Sequence, residues 1–195
     1  MEATGVILAG GSSSRMKVNK SFVEIEGQPL IEIVLHKLIK AFKETIIITN
    51  EPELYQYLGI PVYTDIYPRR GPISGIHAAV HHASFPLVFV QACDMPFMSM
   101  DLAKYLVDKI GTYEAAVPSW EEGIEPLAAV YAKSLENKME QFLIEGKQKT
   151  TKAVKSLNYL PVYTGELQQF GNPRRMFYNI NDPLALHEVR LKLDA

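Results

Sequence analysis

The chain reads as an α/β protein built on a doubly wound, mostly parallel sheet, and three observations predict that architecture. Short runs that are apolar on both faces recur along its 195 residues, as suits strands covered by helices on each side. Segments with helical spacing of apolar residues lie between those runs, and strand–helix alternation implies this class of fold. A glycine-rich loop follows the first run, and ligands in such folds bind outside the carboxyl ends of the strands.

The elements follow in order. Gly5–Leu8 is the first apolar run. Pro29 opens a helix at a favoured first-turn position, with Leu30, Ile31, Val34, Leu35, Leu38, Ile39 and Phe42 at helical spacing. The β-branched run Thr45–Thr49 and the weaker run Pro61–Thr64 are the next strands, and Leu87–Ala92 is the clearest buried one. Ala115–Val117 and Leu127–Tyr131 complete the strands. Helices are expected over Pro72–Ala83, Met100–Ile110, Leu135–Glu145 and Pro183–Leu193. No internal repeat or linker interrupts the chain, so a single domain spanning 1–195 is expected.

Composition narrows the function. The net charge is −2, which does not suggest a nucleic-acid binder. Any anion site must therefore arise from local arrangement. Cys93 is the single cysteine, which excludes an internal disulfide and fits a reducing compartment. The first residues lack the basic run and apolar stretch of a signal peptide. No apolar run approaches the roughly 20 residues of a membrane span. A cytoplasmic monomer without a membrane partner is the expectation.

The loop after the first run reads Ala9-Gly10-Gly11-Ser12-Ser13-Ser14-Arg15-Met16-Lys17-Val18-Asn19-Lys20. Its two glycines let the backbone turn sharply and approach a ligand. Successive backbone N–H groups can form an anion nest, and Arg15, Lys17 and Lys20 add three cations within six residues. This is chemistry for a triphosphate. A Walker A loop is excluded because Arg15 occupies the position of its second glycine, and Gly10-Gly11 does not supply the Gly-x-Gly-x-x-Gly of a dinucleotide fingerprint.

Other residues fall at strand ends. Asp94 follows the run Leu87–Cys93, where one carboxylate suffices for a Mg²⁺ that takes its remaining oxygens from phosphate and water. Asn50 ends the Thr45–Thr49 run and Asp65 follows Val62-Tyr63-Thr64, although both residue types are also common turn formers. Asn179 and Asn181, two apart, share one face if extended. The Gly71-Pro72-Ile73-Ser74-Gly75 segment opens a helix whose first N–H groups can face an anion or a base. Lys147, Lys149, Lys152 and Lys155 surround Thr150 and Thr151. Such a run reads first as a solvated face, with a docking surface for a phosphorylated acceptor as the alternative. His77 and His81 share a helix face but lack the Glu of a His-Glu-x-x-His zinc motif. Cys93 reads as a small buried hydrophobe. Trp120 and Glu121-Glu122-Gly123-Ile124 read as a turn, with a share in shaping the acceptor pocket as the equal alternative.

Taken together, Leu8-Ala9-Gly10-Gly11-x-Ser13-x-Arg15-Met16 followed by Lys20 resembles the signature of nucleotidyltransferases that activate small phosphorylated molecules. The Leu-Ala-Gly-Gly form resembles the molybdenum cofactor guanylyltransferase family, where related cytidylyltransferases usually read Leu-Ala-Ala-Gly. The resemblance continues through Asp65, Gly71–Ile76, Cys93-Asp94-Met95-Pro96, Glu125-Pro126-Leu127 and Asn179-Ile180-Asn181-Asp182-Pro183. Lys17 and Asn19 depart from it, standing where the family usually has Gly and Asp.

The resemblance implies a three-layer, Rossmann-like fold of the nucleotide-diphospho-sugar transferase type. It implies transfer of GMP from GTP to molybdenum-bearing molybdopterin, with Mg²⁺ as cofactor and proteins of molybdenum cofactor biosynthesis or delivery as partners. Arg15, Lys20 and Asp94 are then the catalytic residues, with Asp94 on the metal. Leu8, Ala9, Gly10, Gly11, Ser12, Lys20, Asn50, Asp65 and Asp94 bind the nucleotide, and Asn179 and Asn181 face the acceptor or the metal. Residues up to about 110 form the nucleotide-binding part and those from about 111 the acceptor-binding part. Gly10 leaves room for a purine where the cytidylyltransferases carry a methyl. The same loop also fits a cytidylyltransferase, a sugar-phosphate nucleotidyltransferase or a nucleotide-binding regulator without turnover.

Overall fold

A computed structural model describes residues 1–10, 19–68, 70–146 and 149–180. In chain order the larger elements of the first half are β1 (Thr4–Leu8), the short hairpin β2 (Glu24–Ile25) and β3 (Gln28–Pro29), α1 (Leu30–Ala41), β4 (Glu44–Ile48), β5 (Val62–Tyr63), α2 (Pro72–His82), β6 (Leu87–Ala92) and α3 (Met100–Lys109). The second half adds β7 (Ala115–Trp120), β8 (Gly123–Ile124), β9 (Ala128–Ala132), α4 (Glu136–Ile144), α5 (Thr150–Lys155), β10 (Tyr159–Tyr163), α6 (Thr164–Leu167) and α7 (Pro173–Met176). The helix expected over 183–193 lies outside the described residues.

The main sheet runs β10-β7-β9-β6-β1-β4-β5, with β8 paired to β7. Pairs β1–β4, β1–β6, β4–β5 and β7–β10 are parallel. Only β8 and β9 run the other way, β9 lying antiparallel between β6 and β7. The doubly wound, mostly parallel sheet is thus present. Its winding reverses at β1: the chain goes out through β4 and β5, then returns to place β6 on the other side of β1. That reversal opens a crevice at the carboxyl ends of these strands.

The strand residues explain the three layers. Successive side chains point to opposite faces, and each strand is apolar at both parities. Ile7, Ile47, Phe89, Ala116 and Val130 join α1 and α3 in one core. Val6, Ile46, Ile48, Val88, Val90, Val117 and Tyr131 join α2, α4 and α5 in the other. Phe89 is fully buried and stacks on Phe42 with ring centroids 5.4 Å apart. Full burial of such a side chain stabilises by about 1.5–3 kcal/mol.

One local expectation is corrected and another extended. Pro29 pairs in the β2–β3 hairpin and is the N-cap of α1, with ψ 141°, rather than the first helical residue. The turn expected over Trp120 to Ile124 is present at Glu121 and Glu122 and extends into a β7–β8 hairpin, with Trp120 opposite Gly123.

Candidate functional site

Four strand ends converge at the crevice. Ala9 donates its N–H to Ile48 O at 2.9 Å, and Cys93 donates to Leu8 O at 3.1 Å. These bonds extend the parallel pairing one step beyond β1 and hold the loops after β1, β4 and β6 side by side. Leu8 is half-buried, Ala9 buried and Gly10 exposed. Among the described residues, no atom lies within 4 Å of where a Gly10 Cβ would stand, so the space beside it is open. Gly11, Ser12 and Arg15, with Lys17, lie outside the described residues.

Lys20 opens a short 3-10 turn, Lys20–Phe22, capped by the Asn19 side chain on the Ser21 N–H. Its Nζ stands 3.7 Å from Asp94 Oδ2. The structure therefore brings together two residues separated by 74 positions (94 − 20) in the sequence. Burial raises the Asp94 carboxyl above its ordinary range, and the Lys20 charge opposes that shift. The turn bearing Asp94 is rigidly held. Gln91, fully buried in β6, donates Nε2 to Met95 O at 2.9 Å. Lys37 of α1 donates to Pro96 O at 2.5 Å, and Ile180 N–H donates to Asp94 O at 3.0 Å.

Asn50 and Asp65 meet as well, Asn50 Nδ2 donating to Asp65 Oδ2 at 3.0 Å. Burial raises the Asp65 carboxyl, while the Asn50 bond and nearby His77 act against it. At the entrance to α2, Gly71 adopts φ 76°, a left-handed value that glycine tolerates, and Pro72 follows at the first helical position.

A cavity of about 670 Å³ opens beside Asp94. Pro72, Asp94 and Met95 line it together with Ile124, Glu125, Pro126 and Leu127 and with Lys149, Thr150, Thr151, Lys152, Lys155 and Asn179. The basic run is thus not merely a solvated face: three of its lysines line the cavity that contains Asp94. Lys147 lies outside the described residues. Thr150 Oγ1 is buried without a partner among the described residues. Glu125 accepts from Trp120 Nε1 at 2.9 Å, and burial raises its carboxyl. Asn179 lines the cavity and donates to Phe177 O at 3.4 Å; Asn181 is outside the described residues.

The zinc alternative finds no support. His81 Nδ1 is 2.7 Å from Glu136 Oε1, His77 is buried, and no group of three His, Cys, Asp or Glu side chains suited to a metal occurs among the described residues. Asp94 therefore offers a single carboxylate, the number that suffices for Mg²⁺ when phosphate supplies other oxygens. Cys93 is buried, and desolvation pushes its thiol up to about 12, which excludes a thiolate nucleophile at neutral pH. No helix among the described residues is long and apolar enough to cross a membrane.

Reasoning from the sequence did not single out Gln91 or Lys37 as supports of this site. Gln91 was detectable as the one amide within an apolar strand. Lys37 carried no signal, because its partners arrive from the turn after β6.

Residues 5–159 match the MobA-like NTP transferase domain. The "Probable molybdenum cofactor guanylyltransferase" of Clostridium perfringens (strain 13 / Type A) is 39% identical over 191 residues, covering 93% of this chain and 92% of that one. A protein of the same name from Pelotomaculum thermopropionicum is 36% identical over 191 residues, with 98% and 93% covered. The crystal structure of molybdopterin-guanine dinucleotide biosynthesis protein A from Archaeoglobus fulgidus superposes with a TM-score of 0.84 at 28% identity, covering 98% of both chains. The chain belongs to the MobA-like NTP transferase family.

Proposed function

We propose that this nucleotidyltransferase transfers GMP from GTP to molybdenum-bearing molybdopterin, releasing pyrophosphate and forming the guanine dinucleotide cofactor. The observation that carries the reading is the Lys20–Asp94 pair at the strand ends, set between the Asn50–Asp65 pair and a cavity with a lysine-lined wall. A nucleoside triphosphate and a phosphorylated acceptor need this juxtaposition of two anion-compatible sites around one carboxylate.

The roles follow from position. Lys20, Arg15 and the N–H groups of the loop after Ala9 hold the triphosphate, with Leu8 to Ser12 bordering the nucleotide; Asn50 and Asp65 hold the nucleoside. Asp94 holds Mg²⁺, which neutralises charge on the phosphate oxygens. Lys149, Lys152 and Lys155 attract the acceptor's phosphate, beside Asn179 and Asn181. The acceptor's phosphate oxygen attacks the α-phosphorus, and pyrophosphate leaves in line. That nucleophile is already ionised at neutral pH, so the protein's work is positioning and charge stabilisation rather than proton abstraction. Among the described residues, none of those lining the cavity is a histidine, in keeping with this. The part up to about residue 110 serves the nucleotide and the part beyond it the acceptor.

Gly10 lacks the methyl that related cytidylyltransferases carry there, which favours the larger purine, and the Asp65 carboxylate is an acceptor for the guanine N1–H and N2 donors or a ribose hydroxyl. Each mismatched buried polar group costs about 1–3 kcal/mol. The test is competition of GTP, CTP, ATP and UTP for one labelled nucleotide at equal Mg²⁺, followed by pyrophosphate release with molybdopterin. Preference for GTP and release dependent on molybdopterin are expected. Equal affinity for GTP and CTP would overturn the guanylyl assignment.

A further inference from the structure

Lys20 is flanked on both sides by members of one polar chain, Asn19 before it and Ser21 after it. Tyr55 follows β4 in the turn region after Asn50, and its ring is completely buried, packed on Phe22 at 5.3 Å between centroids. Its hydroxyl donates to Ser21 Oγ at 2.9 Å. It accepts from Asn19 Nδ2 at 3.2 Å, and the same amide reaches Glu51 Oε2 at 3.1 Å. Asn19 Oδ1 in turn accepts from Ser21 N–H at 3.1 Å. Ser21 is buried.

The chain Glu51–Asn19–Tyr55–Ser21 therefore brackets Lys20 on both sides. Burial makes the Tyr55–Ser21 bond expensive to break, because an orphaned partner keeps its desolvation cost. Lys20 has a long, flexible stem whose charge acts on phosphate only when its backbone is held in place. Three-residue 3-10 turns have poor intrinsic hydrogen-bond geometry, so this one depends on the side chains that clamp it.

We infer that Tyr55 and Asn19 are positioning residues for triphosphate binding, setting the Lys20 ammonium against Asp94 through this network. The inference rests on the nucleotidyl-transfer reading for its consequence in turnover, but its first readout is binding alone. Tyr55→Phe and Asn19→Ala are compared with the native chain and with Tyr57→Phe, whose exposed hydroxyl meets Glu32 and lies outside the network. Calorimetry measures affinity for Mg–GTP and for Mg–tripolyphosphate, kinetics give KM for nucleotide and acceptor separately, and a thermal melt reports folding.

Both network variants are expected to bind GTP and tripolyphosphate about tenfold more weakly, the scale of one lost hydrogen bond to a charged site. KM for the acceptor and the behaviour of Tyr57→Phe are expected to stay native. Unchanged affinities with only a lowered melting temperature overturn the inference and leave Tyr55 a packing residue. If Tyr55→Phe does not fold, Asn19→Ala, at a half-buried position, decides the question. A native chain that binds both probes but transfers nothing sinks the transfer reading alone, and the affinity series still decides the positioning role. A native chain that binds neither probe overturns both.

Discussion

At the scale of single residues, the site combines groups that burial disfavours with groups that justify the cost. Asp94 is drawn out of water and its carboxyl raised, yet it faces Lys20 at 3.7 Å. Asp94→Ala is expected to lower kcat by about 10²–10³, the scale of one preorganised transition-state group, with a smaller effect on GTP affinity. Lys20→Ala is expected to reverse that balance and raise the nucleotide KM. Steady-state kinetics on the two variants check both. Asp65 gives a separate prediction through pH. Its raised carboxyl binds a proton more tightly in the folded chain than in the unfolded one. Its contribution to stability is therefore lost as pH rises from the ordinary Asp value, about 4, through the raised folded value. Asp65→Asn keeps an acceptor for Asn50 and removes that loss. The variant is expected to melt higher than the native chain at pH 7, to lose that advantage below pH 4, and to bind GTP more weakly. Melting curves across pH read the sign directly.

At the scale of elements, β1 is the axis of the molecule, and its neighbours approach it closely. A Cβ on Gly5 would stand 2.7 Å from Phe42 Cδ2. Phe42 cannot withdraw, because it is buried and stacked on Phe89. Gly5→Ala is expected to destabilise by about 1–3 kcal/mol, the usual cost of overpacking, and to lower the urea midpoint without changing its slope. The apolar runs and helical spacings identified most of these elements within a few residues; Leu87–Ala92 was read with its true limits. What escaped were β10, α5 and the β2–β3 hairpin. Tyr159–Tyr163 contains Pro161, which argues against a strand except at an edge, and the edge is where it lies. The α5 segment is six residues long and rich in lysine, so its spacing carried little helical signal.

At the scale of the whole molecule, the proposed nucleotide and acceptor parts would share one sheet. The division predicts separable defects. Lys152→Ala with Lys155→Ala is expected to raise KM for molybdopterin and leave KM for GTP native, whereas Asn50→Ala is expected to do the opposite. Initial-rate measurements with each substrate varied would reveal a shared rise in both constants, which would contradict the division. The sequence by itself determined the fold class, because two-faced apolar runs alternating with amphipathic segments have few ways to bury their surface. It also determined the loop chemistry, because glycines, serines and cations are close neighbours along the chain. Tertiary structure alone decided that Lys20 meets Asp94, that Asn50 meets Asp65, and that the lysines of α5 face the same cavity. Those partners lie far apart in sequence and are joined only by the order in which the strands pair, which local propensity does not encode.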